Sequence, residues 1–249
     1  MTSEPEHPSY STRSSELLWA PRDQPARGPK PGLTLDQIVD AAISVADTDG
    51  FNALSMRRVA RELGVGTMSL YRYVPGKSEL LDLMLDKISD PGDGIKKAAE
   101  LDWRGVLELA ARGSYQLYTT HSWLMQINWA RPVFGPNTLA GVELIVAGLD
   151  GTGLTDQERV MVLSVLDGYV VGVARGFVQY TTAAEETGVS DEEFWSQQYP
   201  VLEQAMATGN YPAMASMGED AFEGGWKETF EFGLARLLDG LDLFVKSRH

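Results

Sequence analysis

Apolar residues return every third or fourth position along most of the chain, and no sustained apolar–polar alternation marks a strand. A first helix is expected to open at Thr34, where Thr34-x-x-Gln37 has the form of a capping box. Ile38, Ala42 and Val45 make its inner face, and Gly50 ends it. Ser55 caps a second helix, in which Val59, Leu63 and the small Ala60 face inward and Gly64 supplies the turn. Val65 plugs that turn, and Leu70 and Tyr73 anchor a short third helix. A fourth runs from Lys77–Ser78 to about Ser89, with Leu80, Leu81, Met84, Leu85 and Ile88 as its apolar set, before Pro91-Gly92-Asp93-Gly94 breaks the chain. Further helices are expected near 102–119, 121–129, 137–149, 155–180, 191–207 and 220–246, with Asp102 and the pair Thr155/Glu158 as start signals. The predicted fold class is all-α.

The stretch Leu54 to Lys77, LSMRRVARELGVGTMSLYRYVPGK, has the layout of a DNA-reading helix-turn-helix. Thr67, Met68, Ser69, Tyr71 and Arg72 project outward or along the edge, and Arg57 and Arg58 sit where phosphates would lie. A formal net charge of −14 looks wrong for a DNA binder, but its distribution resolves the conflict. Residues 55–77 carry five bases and one acid, whereas residues 78–249 carry 26 acids and 12 bases. An acidic body repels DNA and leaves one face competent to dock.

Residues 1–31 show no sustained period and read as disordered, 32–77 as the DNA-binding domain, and 78–249 as a larger effector-binding and dimerisation domain. Arg22, Arg27 and Lys30 lie among Pro and Gly just before the first helix. Such a segment is either a minor-groove arm or a solvated tail. There is no cysteine, and no P-loop, G-x-S-x-G or H-E-x-x-H pattern, so no catalytic residue, cofactor or metal ligand is assigned. The polar amino terminus lacks the apolar stretch of a secretory signal, and no apolar run approaches the roughly 20 residues that span a bilayer. A cytoplasmic protein without a membrane partner is expected.

The runs S-M-R-R-V-A-R-E-L-G-V and S-L-Y-R-Y-V-P-G-K-S-E-L-L resemble the tetracycline-repressor (TetR) family over about Leu33 to Met84. The resemblance implies a ligand-responsive dimeric repressor, released from a palindromic double-stranded operator by a small hydrophobic or aromatic effector. Control of an antibiotic or multidrug exporter fits that picture. The alternative is an activator or a ligand-independent regulator. Carried over position by position, the family's DNA contacts fall on Met56, Arg57, Thr67, Met68, Ser69, Tyr71, Tyr73 and Lys77. The resemblance also makes the fourth helix the link between domains.

In the body, Gly168, Gly172 and Gly176 recur on one face of the helix expected over 155–180. Each costs about 1 kcal/mol relative to Ala in a helix interior, so either a partner helix packs there or a bound molecule needs the room. The family pairs this helix and the last one with their two-fold copies in a four-helix bundle, which implies a homodimer through Leu163, Val171, Gly172, Leu234, Leu237 and Leu241. Aromatics crowd the middle of the chain, and most must be core. The candidate effector residues are Ser114, Tyr118, Trp123, Trp129, Phe134, Asn137, Asp167 and Gly168, with Trp123 and Trp129 suited to stacking on a planar ligand. Asp167 has three readings: ligand contact, a dimer bond, or simple exposure. His121 could cap a helix, orient a ligand or sit in the core, the last being the commonest place for such a residue. The segment RPVFGPN resembles the tetracycline-binding branch, but Ile127 lies near the branch's metal-binding His, and Arg175 or Gly176 near its carboxylate. No metal is expected, and tetracycline is not the expected effector.

Overall fold

A computed structural model describes residues 10–20, 32–129, 134–218, 221 and 224–248. Among the described residues, all regular structure is helical, and the chain divides into two compact units at Leu163–Ser164, inside a long helix. The first unit contains α1 (Tyr10–Leu18), α2 (Leu35–Asp49), α3 (Met56–Glu62), α4 (Thr67–Leu70), α5 (Lys77–Ile88), α6 (Gly94–Ala98), α7 (Trp103–Thr120), α8 (Pro136–Gly148) and the start of α9 (Asp156–Thr187). The second contains the rest of α9, α10 (Asp191–Ala207), α11 (Pro212–Ala215) and α12 (Trp226–Lys246).

The head is built by local rules. Thr34 and Gln37 close both bonds of the capping box, at 2.9 and 3.2 Å, and Ser55 Oγ accepts from the Arg58 N–H at 3.2 Å. Caps of this kind contribute about 1 kcal/mol each. Gly64 takes φ +66°, a left-handed conformation that side chains disfavour, and Val65 then turns its N–H back to the Ala60 carbonyl at 3.0 Å. Ile38, Val39, Ala42, Val45, Val59, Ala60, Leu70, Val74, Leu80 and Met84 are buried and form the core of α2 to α5.

Four expectations need correction. Residues 1–31 are not without structure throughout: Tyr10–Leu18 form α1, which packs on α5 with Leu18 and Ser14 buried. Its weak apolar period conceals it, because a helix this short depends on tertiary contact. Arg22, Arg27, Lys30 and most of the expected arm lie outside the described residues. The helix expected over 121–129 is only a 3₁₀ turn, Ser122–Gln126, and the last helix begins at Trp226 rather than near 220. Finally, α9 runs on to Thr187 and is apolar and long enough, by length and composition, to cross a bilayer. Scattered glycines, Asp167 and Arg175 hide that length in the sequence.

In the second unit α9 and α12 meet through large side chains. The Tyr169 hydroxyl donates to the Phe230 carbonyl at 2.6 Å, and the two rings stack at 6.0 Å. Gly176 admits the Trp226 ring, which a Cβ there would overlap. Phe230, Leu234, Leu238 and Val245 form the buried face of α12. Leu234 is therefore core within one protomer and is withdrawn from the expected dimer contacts.

Candidate nucleic-acid interface and its link to the body

The turn between α3 and α4 sets the reading edge. With Leu70 buried as the anchor, Met68 projects with 76% of its surface exposed, Tyr71 and Arg72 are exposed, and Thr67, Ser69 and Tyr73 are half-buried beside them. Arg57 and Lys77 are exposed at the flanks, and the Lys77 ammonium lies 4.8 Å from the centre of the Phe51 ring. Met56 departs from the expected contact set. It is only 6% exposed and belongs to the core, so it is not available to a base or phosphate.

The acids of the head are taken up locally. Arg58 binds Asp49 and Glu62, both at 2.6 Å, so it is not a spare phosphate contact. Those two carboxylates raise its pKa, the Glu62 hydrogen bond first. Lys87 on α5 pairs with Asp40 at 2.7 Å and Asp36 at 3.5 Å. Asp36, Asp40, Asp49 and Glu62 are thus all paired, while Arg57, Arg61, Arg72 and Lys77 remain exposed.

The last acid of this set, Asp47, makes a contact that sequence reasoning missed. Its Oδ1 accepts from Trp123 Nε1 at 2.7 Å and from His121 Nδ1 at 2.8 Å. Trp123 is 1% exposed and lies parallel to Phe51, with ring centres 6.3 Å apart. The exit of α2 is thereby joined to the turn after α7. The effector role expected for Trp123 gives way to this junction, because its one donor and a ring face are already committed. His121 serves the same junction. Only a long-range pairing reveals this, since Asp47 and Trp123 are 76 positions apart.

The remaining effector candidates are spread over both units. In the first, Tyr118 is buried, Ser114 and Asn137 are half-buried, and Trp129 and Phe134 are exposed. Asp86 of α5 takes the N–H groups of Asn137 and Thr138, each at 3.0 Å, and so caps α8. In the second, Asp167 and Gly168 are exposed on α9. A Cβ added at Gly168 or Gly172 would meet nothing within 4 Å in the protomer, in contrast to Gly176. Of the expected dimer residues, Leu163, Val171, Leu237 and Leu241 are half-buried and Gly172 is exposed. Among the described residues no group of three or more His, Cys, Asp or Glu is placed to hold a metal.

Comparison with known proteins covers both parts of the chain. Residues 38–84 match the pattern of bacterial regulatory proteins of the tetR family, and residues 97–244 match the tetracyclin repressor-like C-terminal domain. The chain is 50% identical over 236 residues to the HTH-type transcriptional repressor DrrR1 of Streptomyces coeruleorubidus, covering 95% of this chain and 87% of that protein. Among solved structures it is similar to apo ActR from Streptomyces coelicolor, at 27% identity and a TM-score of 0.66, over 89% of this chain and all of that one. It is also similar to ActR in complex with actinorhodin, at 27% identity and a TM-score of 0.65, over 88% of this chain and 99% of that one.

Proposed function

This chain belongs to the TetR family of DNA-binding transcriptional repressors, and on that premise we propose that it is a homodimer that holds a palindromic operator until a small, planar, apolar molecule occupies its C-terminal domain. The observation that carries the reading is the pairing of two exposed surfaces. One is the edge bearing Met68, Tyr71 and Arg57, which suits a major groove and its phosphates. The other is the face of α9, where Gly168 and Gly172 are open and Val160, Met161 and Val165 are exposed.

One recognition helix reads too few bases to be selective, and a two-fold dimer reads two half-sites. The second copy would cover the apolar length of α9, which explains that length without a membrane. The effector class rests on the ActR–actinorhodin complex and on the aromatic residues Tyr118, Trp129 and Phe134. Release follows if the ligand binds more tightly to a conformer whose two reading edges are wrongly spaced. Control of an exporter gene is the natural output for a repressor released by such a compound.

The test is selection of random duplex DNA by the full-length protein at near-physiological salt, followed by titration of the recovered complex with actinorhodin and unrelated planar aromatics. The expected outcome is an inverted repeat, released by at least one planar compound. A recovered site without two-fold symmetry would overturn the dimeric reading, and an operator complex indifferent to the whole panel would overturn the effector class.

A further inference from the structure

Two buried acids lie one turn apart on α5, and each holds a different element. Asp86, 1% exposed, accepts at Oδ1 from the Asn137 and Thr138 N–H groups and from the Thr138 hydroxyl at 3.2 Å, which fixes the start of α8. Asp82, 8% exposed, accepts from the buried Ser14 hydroxyl of α1. Just past the end of α1, Trp19 Nε1 donates to the Phe134 carbonyl at 3.1 Å, two residues before α8 begins. These contacts close a ring within the first unit, from α5 to α8, back through Phe134 and Trp19 to α1, and so to α5 again.

We propose that α1 is an intramolecular strap. It bridges α5 and the segment entering α8, so that displacement of either is felt by the other. A helix of nine residues has little stability alone in water, so α1 holds its shape only while docked. Losing the grip at Trp19 therefore weakens the grip at Ser14 and Leu18, and the strap engages or releases nearly as a unit. A ligand that shifts Phe134 must carry Trp19 with it or break its bond, and either event reaches α5 at Asp82. The functional meaning rests on the reading of α5 as the link from effector domain to reading head; the mechanical coupling does not.

Hydrogen exchange on full-length protein tests the strap. Leu18→Asp places a charge in a site that is 2% exposed. It should raise exchange at least about fivefold, the effect of losing roughly one stabilising contact, in peptides from α5 and the start of α8 as well as in α1. Trp19→Phe removes one N–H and keeps a ring, and should raise exchange in α1 and at 137–139 by a smaller factor. Coupling must be reciprocal, so Thr138→Val should raise exchange in α1, which it does not touch.

A rise confined to residues 10–19 in the first two variants, or to the first turn of α8 in the third, would overturn the strap and leave α1 a docked tail. Should Leu18→Asp fail to fold, the two conservative variants decide. The same proteins are then measured on the inverted repeat recovered by selection, where Leu18→Asp should weaken binding several-fold. If wild-type protein recovers no such DNA, the palindromic-operator reading fails, and the exchange result still settles the strap.

Discussion

Asp47→Ala is the most informative single change, because two lines of reasoning give it opposite signs. Seen as a surface acid in the last turn of α2, Asp47 opposes the helix dipole and has a poorer helix propensity than Ala. Its removal would then stabilise the protein by about 1 kcal/mol. The junction predicts the reverse. The Trp123 indole is buried and would keep an N–H with no acceptor, and a hydrogen bond to a carboxylate contributes about 2 kcal/mol. The His121 contact, nearer the surface, adds about 0.5 kcal/mol. The net expectation is a loss of about 1.5 kcal/mol, or roughly 3–6 °C in Tm for a chain of this length. Urea unfolding followed by far-UV circular dichroism measures it, since that signal does not depend on the mutated indole. The cycle with Trp123→Phe isolates the bond. The double variant should be less damaged than the two singles added together, by at least about 1 kcal/mol. A stabilised Asp47→Ala protein, or effects that add to within about 0.5 kcal/mol, would refute the junction.

Three other expectations are direct. Arg57→Ala should lower affinity across sequences and flatten the salt dependence by about 0.9 in log–log slope, whereas Met68→Ala should alter which operators are selected and Met56→Leu should do neither; a shifted sequence preference in Met56→Leu would return that residue to the interface. In the long helix, Gly172→Leu should leave the protomer folded and lower the dimer population in sedimentation experiments, while Gly176→Ala should destabilise the protomer despite a propensity gain of about 1 kcal/mol, because Trp226 fills its space; an undisturbed dimer in Gly172→Leu would remove that face from the interface. Asp82 is pushed above the ordinary carboxylate range by burial and further by Glu79, against the Ser14 hydrogen bond. The protonated form thus favours the folded state, a contribution complete below the ordinary range and lost as pH rises through the elevated value. Relative to wild type, Asp82→Asn should gain stability as pH rises from about 4 to 8, and parallel melting profiles would dispose of this reading.

The helix-turn-helix was legible because every device that builds it is local. The Thr34–Gln37 box, the Ser55 cap and the left-handed Gly64 each act within four residues, and all were readable before any tertiary contact was known. Met56 shows how analogy and period diverge. Met56, Val59, Ala60 and Leu63 stand at i, i+3, i+4 and i+7, which is a core face, yet transfer of the family's contacts placed Met56 on the DNA. Burial sides with the period. Leu234 repeats the lesson, since the apolar stripe of the last helix is wide enough to serve two surfaces. Phe230, Leu234 and Leu238 take the inner face, leaving Leu237 and Leu241 at its edge.

What stayed hidden depends on pairings across long loops. Ser14 and Asp82 are 68 positions apart and Trp19 and Phe134 are 115 apart, and neither pair has a spacing rule to betray it. Polar residues in weakly periodic segments looked like solvent-facing tails because their partners lay in another element. A buried hydroxyl or carboxylate must be hydrogen-bonded to remain buried, so the direction of inference reverses once the fold is known. The burial of Ser14, Asp82 and Asp86 follows from the bonds that hold α1 and α8 to α5. Polar bonds of defined geometry thus join these elements, alongside apolar contacts such as buried Leu18 and the Phe51–Trp123 stack. Under the proposed release by an effector, these bonds, which break at defined geometry, are the contacts whose loss would mark the shift between two arrangements.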